Sequence, residues 1–408
     1  MSAPHHTLNC TNCLRVYPPG ATYICEDCWG PLEPRIDLDQ FRGTLTHASI
    51  AAGPPSMWRY HQLLPVEAPS HDELVGYTPL RHAPRLAKEI GLRNLWLKDD
   101  TLNPSGSFKD RVVATALAKA REIGCSVVVA ASTGNLGNAV AAAAARAQLR
   151  SIIIVPADLE PAKIAMSAIY GAHVVTIDGT YDDANRLCVE LLDAHPEWAF
   201  VNVNLRPYYA EGSKTLAFEI CEQLGWTTPD HVVVPVASGS QLTKIHRGFS
   251  ELREVGLTTS KMPRLHAAQP LGSSPIALAH ITNKAVAPVR PHTLTRSLAI
   301  GNPADATGAL ETLRATNGAA VCVEDSDMID AISLLARTEG IFVEPAGGVS
   351  IHALRDLVAR GVVAENDSVV VVLSGHGLKT IDVVASRATP LAHIQPSLGA
   401  FEKLRLGD

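Results

Sequence analysis

The sequence lacks several features that mark common protein classes. No run among its 408 residues approaches about 18 consecutive apolar positions, so a membrane-spanning helix is not expected. The net charge of -6 is mild and gives no electrostatic reason to expect binding to nucleic acid or to anionic membranes. The first residues have neither the charged and apolar regions of a secretory signal nor an Arg-rich transit segment, which predicts a cytoplasmic protein.

Two nucleotide-binding motifs are missing as well. The G-x-G-x-x-G fingerprint of a Rossmann dehydrogenase is absent, since Gly134-Asn135-Leu136-Gly137 matches it only in part. No P-loop occurs, and no internal repeat is evident. The composition, with 46% apolar and 19% charged residues, is ordinary for a globular enzyme, and the length predicts two or three domains.

The eight cysteines fall into two groups. Four of them form two Cys-x-x-Cys pairs with eleven residues between the pairs, a spacing that indicates a tetrahedral zinc site: Cys10, Cys13, Cys25 and Cys28. Two disulfides are the alternative, which a cytosolic setting disfavours, and the ligand type also suits iron. Four thiolates close the coordination sphere, so we expect a structural site. The N-terminal segment that carries these cysteines is expected to form a zinc ribbon. This segment is not strongly basic, which disfavours nucleic-acid binding. The other four cysteines are expected to be reduced core residues.

From Leu95 onward the pattern alternates between strand-like and helix-like segments. The strand-like segments are nearly continuous runs of Val and Ile, which indicates strands buried on both faces. Such strands predict an α/β fold with parallel sheets and helices on both sides. The predicted strands are 127–130, 152–155, 174–177, 232–236, 265–268 and 369–373.

These patterns, with the resemblance described below, divide the chain into a ribbon, an arm, two α/β domains and a tail. Pro and Gly interrupt the arm too often for long helices. The predicted boundaries are 1–35 for the zinc ribbon, 36–80 for the linking arm, 81–124 with 200–390 for the large cofactor-binding domain, 125–199 for a smaller inserted domain, and 391–408 for a C-terminal tail.

Lys109 is the most informative residue. It lies between the strand-like run 95–98 and the helix-like run 111–118, within Asn103-Pro104-Ser105-Gly106-Ser107-Phe108-Lys109. The dipole at a helix N-terminus disfavours an ammonium group, and a neutral amine is the form that makes a Schiff base. A surface lysine at a turn is the ordinary alternative, so the interpretation depends on the neighbouring loops.

Two further strand-to-helix loops support a reactive lysine. The loop 131–138 precedes an Ala-rich helix, whose free N–H groups suit a carboxylate or a phenolate. The loop 235–243 has small residues that let the backbone close on a phosphate, with hydroxyl donors from Ser and Thr. The combination fits pyridoxal phosphate held as a Schiff base on Lys109.

With these segments the sequence resembles the threonine synthases of the pyridoxal-phosphate fold type II class, in the branch that carries an N-terminal zinc ribbon. The resemblance covers nearly the whole chain. It implies an α/β fold with two parallel or mixed-sheet domains. The supporting segments are the cysteine pairs, 56–60, the lysine motif, 181–187, 206–215, 299–305, 339–348 and 375–379.

The resemblance also implies roles for individual residues. Lys109 would hold the cofactor and act as acid and base, Asn135 would bond the ring hydroxyl, and Ser374 would face the pyridine nitrogen. A hydroxyl at that place would leave the ring largely unprotonated, although a helix cap is the simpler interpretation of Ser374. The cofactor phosphate would lie on Ser238, Gly239, Ser240, Gln241, Leu242 and Thr243, and the substrate carboxylate on Ser132, Thr133 and Gly134.

The family's substrate is O-phospho-L-homoserine, whose phosphate needs an anion site. Arginine suits that role because its guanidinium binds phosphate through two bonds. The candidates are Asn202, Asn204 and Arg206, followed by Lys163 and Ser107. The alternatives are a related pyridoxal-phosphate enzyme, such as a cysteate-synthase-like enzyme or a threonine or serine dehydratase, and a zinc-ribbon binding protein with an inactive enzyme domain. A homodimer is expected by analogy with this fold.

Overall fold

The computed structural model describes residues 5–69, 74–132, 134–159, 161–385 and 390–406. Within these residues the chain forms thirteen strands: β1 (His6–Cys10), β2 (Val16–Tyr17), β3 (Leu32–Ile36), β4 (Leu80–His82), β5 (Asn94–Asp99), β6 (Val127–Ala131), β7 (Arg150–Pro156), β8 (His173–Ile177), β9 (Ala199–Phe200), β10 (His231–Pro235), β11 (Arg264–Pro270), β12 (Ala320–Val323) and β13 (Ser368–Leu373).

The α-helices of the described residues connect and cover these strands. They are α1 (His47–Ala51), α2 (Pro84–Ile90), α3 (Lys109–Glu122), α4 (Asn135–Arg146), α5 (Pro161–Ala168), α6 (Tyr181–Ala194), α7 (Arg206–Glu211), α8 (Lys214–Gln223), α9 (Ser240–Glu254), α10 (Pro275–Thr282), α11 (Ala306–Ala315), α12 (Asp325–Glu339), α13 (Pro345–Ala359), α14 (Asp382–Ala385) and α15 (Leu398–Glu402). None of the helices in the described ranges is both long enough and apolar enough to cross a bilayer.

The strands form three sheets. The N-terminal sheet has the order β2-β1-β3 and is antiparallel. The largest sheet has the order β12-β11-β10-β13-β5-β4 and is parallel except for β4, which pairs antiparallel with β5. The third sheet, β8-β7-β6-β9, is parallel throughout. The predicted α/β class with parallel and mixed sheets is therefore confirmed.

The sequence explains why these sheets are covered on both sides. Every residue of β6 is buried, as are five of the six residues of β13, because helices pack on both faces. Five of the predicted strands lie inside observed strands, and the predicted run 232–236 extends one residue beyond β10. The predicted domain boundaries stay a prediction.

The segment 36–80 contains more regular structure than its Pro and Gly content indicates. It includes α1 and a 3₁₀ helix at Met57–Leu63. The start of α1 is a capping box, in which the Thr46 and Ser49 side chains each accept a hydrogen bond from the other residue's backbone N–H. Tyr60, in that 3₁₀ helix, is fully buried against Phe218. The segment thus packs on the core and is not a detached linker.

A buried ionic cluster ties the start of α3 to the largest sheet. Arg111 is fully buried and donates to the carboxylates of Asp100 and Glu219, while the Lys98 amine lies 2.5 Å from Glu219. Burial alone would raise the pKa of Glu219, but the positive charges of Arg111 and Lys98 lower it to about 2. The cluster therefore fixes α3 directly behind Lys109.

Candidate active site

Two adjoining cavities lie where the carboxyl ends of β6, β10 and β13 meet the start of α3. The larger cavity has a volume of about 660 Å³, and the smaller has about 100 Å³. Lys109, Asn135 and Glu344 lie on the walls of both cavities. Ligand sites of open parallel sheets are found at this edge, outside the carboxyl ends of the strands.

Lys109 is the first residue of α3 and is half-buried. Its position follows from two backbone contacts with the end of β13, because Phe108 N–H donates to the Ser374 carbonyl at 2.8 Å and Ser107 forms a bridge with Gly375. The Lys109 amine donates to the Tyr209 phenol oxygen at 3.2 Å. The structure therefore places a hydroxyl group beside the predicted reactive amine.

The predicted carboxylate loop lies at the start of α4. Gly134 is the residue before the helix and makes no side-chain capping bond, so it leaves N–H groups of the first turn available to an anion. Ser132 is buried and its hydroxyl accepts from the Gly134 N–H at 3.3 Å. Ser132 and Gly134 both line the larger cavity, whereas the predicted Thr133 lies outside the described residues.

The predicted phosphate loop surrounds the smaller cavity. Ser238, Gly239, Ser240, Gln241 and Leu242 line it. Thr243 is absent from that lining, and its hydroxyl donates to the Ser240 carbonyl at 2.8 Å. Leu242 is fully buried, so it offers only its backbone.

The residues of this loop fit the phosphate of the predicted cofactor. Gly239, the residue before α9, has no side chain to cap the helix, and the Ser240 N–H lies 3.4 Å from the Ser238 hydroxyl oxygen. The buried Gln241 Nε2 has no hydrogen-bond partner among the described residues. Gly239 has a φ of +100°, and a Cβ at this position would lie 2.7 Å from the Asp305 carbonyl oxygen. Uncapped N–H groups and an unpartnered amide donor suit an anion.

The side chain of Glu344 accepts hydrogen bonds from two of the predicted cofactor residues, Asn135 and Ser374. Its Oε2 accepts from the Asn135 amide nitrogen at 2.7 Å, and its Oε1 accepts from the Ser374 hydroxyl at 2.9 Å. The Glu344 residue is only 3% exposed. The backbone N–H of Glu344 also donates to the Gly375 carbonyl at 2.9 Å, which fixes the carboxylate between α13 and β13.

Four predicted substrate residues do not line either cavity. Arg206 donates to the Asp305 carboxylate at 2.8 Å, and Asn202 donates to the Asn185 side chain at 2.9 Å. Asn204 is buried and accepts from the Phe200 N–H at 2.8 Å. The Ser107 hydroxyl is buried without a partner among the described residues. The cavities thus give no support to a substrate role for these residues, which stays a prediction, whereas the predicted Lys163 does line the larger cavity.

The structure also adds residues to which the sequence assigned no role. They are Tyr209, Arg296, Glu344 and Lys379, which line one or both cavities. Burial lowers the pKa of Lys379, and its amine donates to the Ser105 carbonyl at 2.7 Å. Glu344 and Lys379 lie in segments that support the resemblance, but nothing in their spacing indicates their partners. In the sequence, Glu344 is marked only as an acidic residue followed by Pro, a pattern that indicates the start of a helix and not a role in the site.

The four N-terminal cysteines meet as the spacing predicts. Their sulfur atoms all lie within 4.8 Å of one another: Cys10, Cys13, Cys25 and Cys28. The N–H groups of Asn12 and Cys13 both lie 3.4 Å from the Cys10 sulfur. N–H donors stabilise thiolates, which are the ligand form of cysteine, so the cluster can bind zinc.

The ribbon rests on the helices next to the site. Glu33 of β3 pairs with Lys244 of α9 at 3.2 Å, and Arg247 donates to the Pro34 carbonyl at 2.7 Å. The Gly20 N–H donates to the Tyr208 phenol oxygen of α7 at 3.0 Å. Helix α7 carries Tyr209, and α9 begins within the phosphate loop, so the ribbon contacts both of these elements of the site.

Comparisons with known proteins place the chain in a family. The family model described as "Pyridoxal-phosphate dependent enzyme" matches residues 72–375. The threonine synthase of Methanocaldococcus jannaschii is 34% identical over 401 residues, which cover 97% of this chain and 98% of that protein. The chain belongs to the threonine synthases among the pyridoxal-phosphate-dependent enzymes. The threonine synthase of Methanosarcina acetivorans is 37% identical, with 91% and 92% of the two chains covered.

Solved structures show the same fold at low identity. The processed threonine deaminase isoform 2 of Solanum lycopersicum has a TM-score of 0.67 and 20% identity, with 86% of this chain and 94% of that chain covered. Maize serine racemase has a TM-score of 0.63 and 20% identity, with 76% and 91% covered. At such identities the likeness shows the fold alone. The predicted fold type II architecture, the family and its pyridoxal-phosphate cofactor are confirmed.

Proposed function

We propose that this protein converts O-phospho-L-homoserine and water into L-threonine and phosphate. The similarity to threonine synthases over nearly their whole length supports this activity. The observation in the structure that carries the proposal is the position of the Lys109 amine. It lies on the wall shared by a cavity with an anion-binding loop and a larger cavity with room for a substrate.

The residues of the smaller cavity would hold the cofactor. Its phosphate would lie on the loop from Ser238 to Leu242, and its ring would lie between Asn135 and Ser374. When bound, pyridoxal phosphate supplies a ring that stabilises negative charge on the substrate carbons. The protein contributes the anchoring, the orientation and the proton transfers.

Lys109 is the residue that we assign to proton transfer. It would remove the proton at Cα, pass that proton to the phosphate group and then remove one at Cβ, and the phosphate would leave Cγ with the electrons of the C–O bond. The Lys109 ammonium would return a proton to Cγ, water would add at Cβ, and a final proton at Cα would complete L-threonine. The Tyr209 hydroxyl, which accepts from the amine, would keep it directed into the site.

The substrate carboxylate and phosphate would occupy opposite parts of the larger cavity. The start of α4, with Ser132 and Gly134, offers N–H groups for the carboxylate. Lys163 and Arg296 line the same cavity and offer positive charge for the leaving phosphate. We favour this pair over Arg206, because Arg206 pairs with Asp305 and lies outside the lining.

Three further assignments extend the same proposal. We assign zinc to the cysteine cluster as a structural ion, since four thiolates leave no position for substrate. We propose a cytoplasmic homodimer by analogy with this fold class. We keep the domain boundaries 1–35, 36–80, 81–124 with 200–390, 125–199 and 391–408.

The test is product formation from O-phospho-L-homoserine by the holoenzyme. Threonine and phosphate are expected in equal amounts. Lys109→Ala and Lys109→Arg are both expected to lose turnover and the visible absorption of the bound cofactor, because neither side chain forms the Schiff base. Phosphate released together with 2-oxobutyrate would instead indicate a lyase, and turnover by Lys109→Ala at the wild-type rate would refute the role of the lysine.

A further inference from the structure

Tyr17 joins the apolar core of the ribbon to the cysteine cluster. It lies in β2, opposite Leu8 of β1, and both residues are buried. The hydroxyl of Tyr17 donates to the sulfur of Cys25, with 3.2 Å between the oxygen and the sulfur. Cys25 is fully buried as well, so the phenol meets this sulfur on the buried side of the cluster.

The direction of this hydrogen bond follows from the second partner of the phenol. The Glu26 N–H donates to the Tyr17 oxygen at 2.9 Å. Because a backbone N–H can only donate, it occupies a lone pair of the oxygen and leaves the hydroxyl hydrogen for the sulfur. The sulfur of a metal-bound cysteine is a thiolate, which has no hydrogen of its own and can only accept. The N–H bond to the oxygen also polarises the hydroxyl and strengthens it as a donor.

The sulfur of Cys10 shows how the other half of the cluster is supplied with donors. The N–H groups of Asn12 and Cys13 both lie 3.4 Å from it, so these donors come from the backbone of the turn. Such backbone donors follow from the Cys-x-x-Cys spacing alone. The side-chain donor at Cys25 comes from a residue eight positions away, on a neighbouring strand, and the spacing does not encode it.

The charge of a loaded site explains what this donor contributes. One zinc ion and four thiolates carry a net negative charge, and the exposed Glu26 and Asp27 follow Cys25 directly in the chain. Arg15 pairs with Glu26 at 3.8 Å and with Asp27, which balances charge on the exposed side. On the buried side, the Tyr17 hydroxyl offers a hydrogen to the thiolate, and a buried charge is costly without such a partner.

We propose that Tyr17 is a positioning residue of the metal site, whose hydroxyl stabilises the zinc-bound thiolate of Cys25. The inference rests on the zinc assignment of the proposed function. Groups that bond a metal ligand fix its orientation and tune its charge, and their loss typically lowers metal affinity about tenfold to a hundredfold. The Tyr17 ring packs the core of the ribbon, and the hydroxyl acts on the metal separately from that packing.

The first experiment measures the zinc affinity of the full chain by competition with a chromophoric chelator. Tyr17→Phe keeps the ring and removes the hydroxyl, and the Kd for zinc is expected to rise about tenfold to a hundredfold. The Glu26 N–H loses its acceptor, but Glu26 is exposed, so water can replace it. Tyr23→Phe is the matched control, because Tyr23 lies between the two cysteine pairs but packs against the cluster of Val127 and Phe200. It is expected to leave the Kd unchanged.

The second experiment replaces zinc with cobalt(II), whose absorption reports on the sulfur itself. The energy of the sulfur-to-cobalt charge-transfer band depends on the sulfur lone pairs, which a hydrogen bond stabilises. Loss of the hydroxyl in Tyr17→Phe is therefore expected to move the band to longer wavelength. A ring-fluorinated tyrosine in place of Tyr17 is a stronger donor and is expected to move the band to shorter wavelength. A role in packing alone predicts no shift in either protein.

The outcomes separate this inference from the proposed reaction. Equal zinc affinity in the wild type and Tyr17→Phe overturns it, as does a cobalt band that stays in place, even if Tm falls. A wild type that binds neither zinc nor cobalt overturns it together with the zinc assignment. Neither measurement uses substrate, so a protein that shows both effects but makes no threonine would support the role of Tyr17 and refute the proposed reaction.

Discussion

The Lys109 amine donates a hydrogen bond to the Tyr209 phenol oxygen at 3.2 Å. The two residues are 100 positions apart and come together because α7 packs beside the start of α3. A hydroxyl at this distance holds the amine in one orientation, and an acid-base group works best when its orientation is fixed.

Tyr209→Phe is expected to lower kcat about fivefold while the cofactor remains bound, since one hydrogen bond of about 1 kcal/mol is lost. Steady-state kinetics and the visible spectrum of the holoenzyme measure the two effects. Tyr208→Phe is the control, because the neighbouring phenol bonds Gly20 of the ribbon and is expected to affect stability alone. An unchanged kcat in Tyr209→Phe would exclude a role for the phenol.

The phosphate loop is expected to tolerate no side chain at position 239. Gly239→Ala would place a Cβ 2.7 Å from the Asp305 carbonyl oxygen at a φ of +100°, so the loop must shift. A conformational cost of about 1 to 2 kcal/mol corresponds to a loss of cofactor affinity of about five- to thirtyfold. Titration of the apoprotein with pyridoxal phosphate measures the Kd.

Gly256→Ala is the matched control for that experiment. Gly256 also has a positive φ, of +82°, but a Cβ there meets no atom within 4 Å and the residue follows the far end of α9. It is expected to lower stability without changing the Kd for the cofactor. Equal cofactor affinity in both variants would contradict the proposed phosphate site.

The cysteine cluster is expected to contribute to stability and not to the reaction. Cys10→Ser and Cys25→Ser are each expected to lose nearly all bound zinc and to lower Tm, because three thiolates hold the ion less well than four. Elemental analysis and thermal unfolding measure both quantities. Cys322→Ser, outside the ribbon, is expected to keep the metal, and unchanged zinc content in the ribbon variants would show that these sulfurs bind no zinc.

Acid is expected to destabilise the protein through the buried cluster behind Lys109. The pKa of Glu219 falls from an ordinary 4.5 to about 2 in the folded protein, because the charges of Arg111 and Lys98 outweigh burial. A depressed carboxyl pKa gives stability that is complete above the unfolded value of 4.5 and is lost as the pH falls toward 2.

Urea unfolding between pH 2 and 7 tests this dependence. Glu219→Gln is expected to flatten the fall in the free energy of unfolding at acid pH, and to lower that free energy at pH 7 by about 3 to 5 kcal/mol, because Arg111 and Lys98 lose a partner. Glu254→Gln is the control, since Glu254 is half-exposed and pairs with Arg42 at 3.5 Å. A fall as steep in Glu219→Gln as in the wild type would contradict the assignment.

The sequence predicts those parts of the site whose position depends on residues nearby in the chain. Lys109, Asn135 and the loop from Ser238 to Leu242 each follow a strand and begin a helix, so the order of apolar and small residues indicates them. The four cysteines have a spacing that fixes their meeting on one ribbon. Such features depend on neighbours within a few residues.

The residues that the sequence did not assign depend on distant contacts. Glu344 bonds Asn135 across 209 positions, and Tyr209 meets Lys109 across 100. Arg206 was favoured for phosphate because of its residue type, but its partner Asp305 lies 99 positions away and occupies the guanidinium. Packing of separate elements decides these pairs, and no local pattern encodes it.

The central claim concerns which bonds break and where water adds. The most direct measurement is turnover of O-phospho-L-homoserine in H₂¹⁸O, with mass analysis of both products. The proposed reaction predicts threonine with one ¹⁸O in its hydroxyl group and phosphate without label, because the Cγ–O bond breaks and water adds at Cβ. Labelled phosphate with homoserine, or phosphate with 2-oxobutyrate and no threonine, would contradict the account.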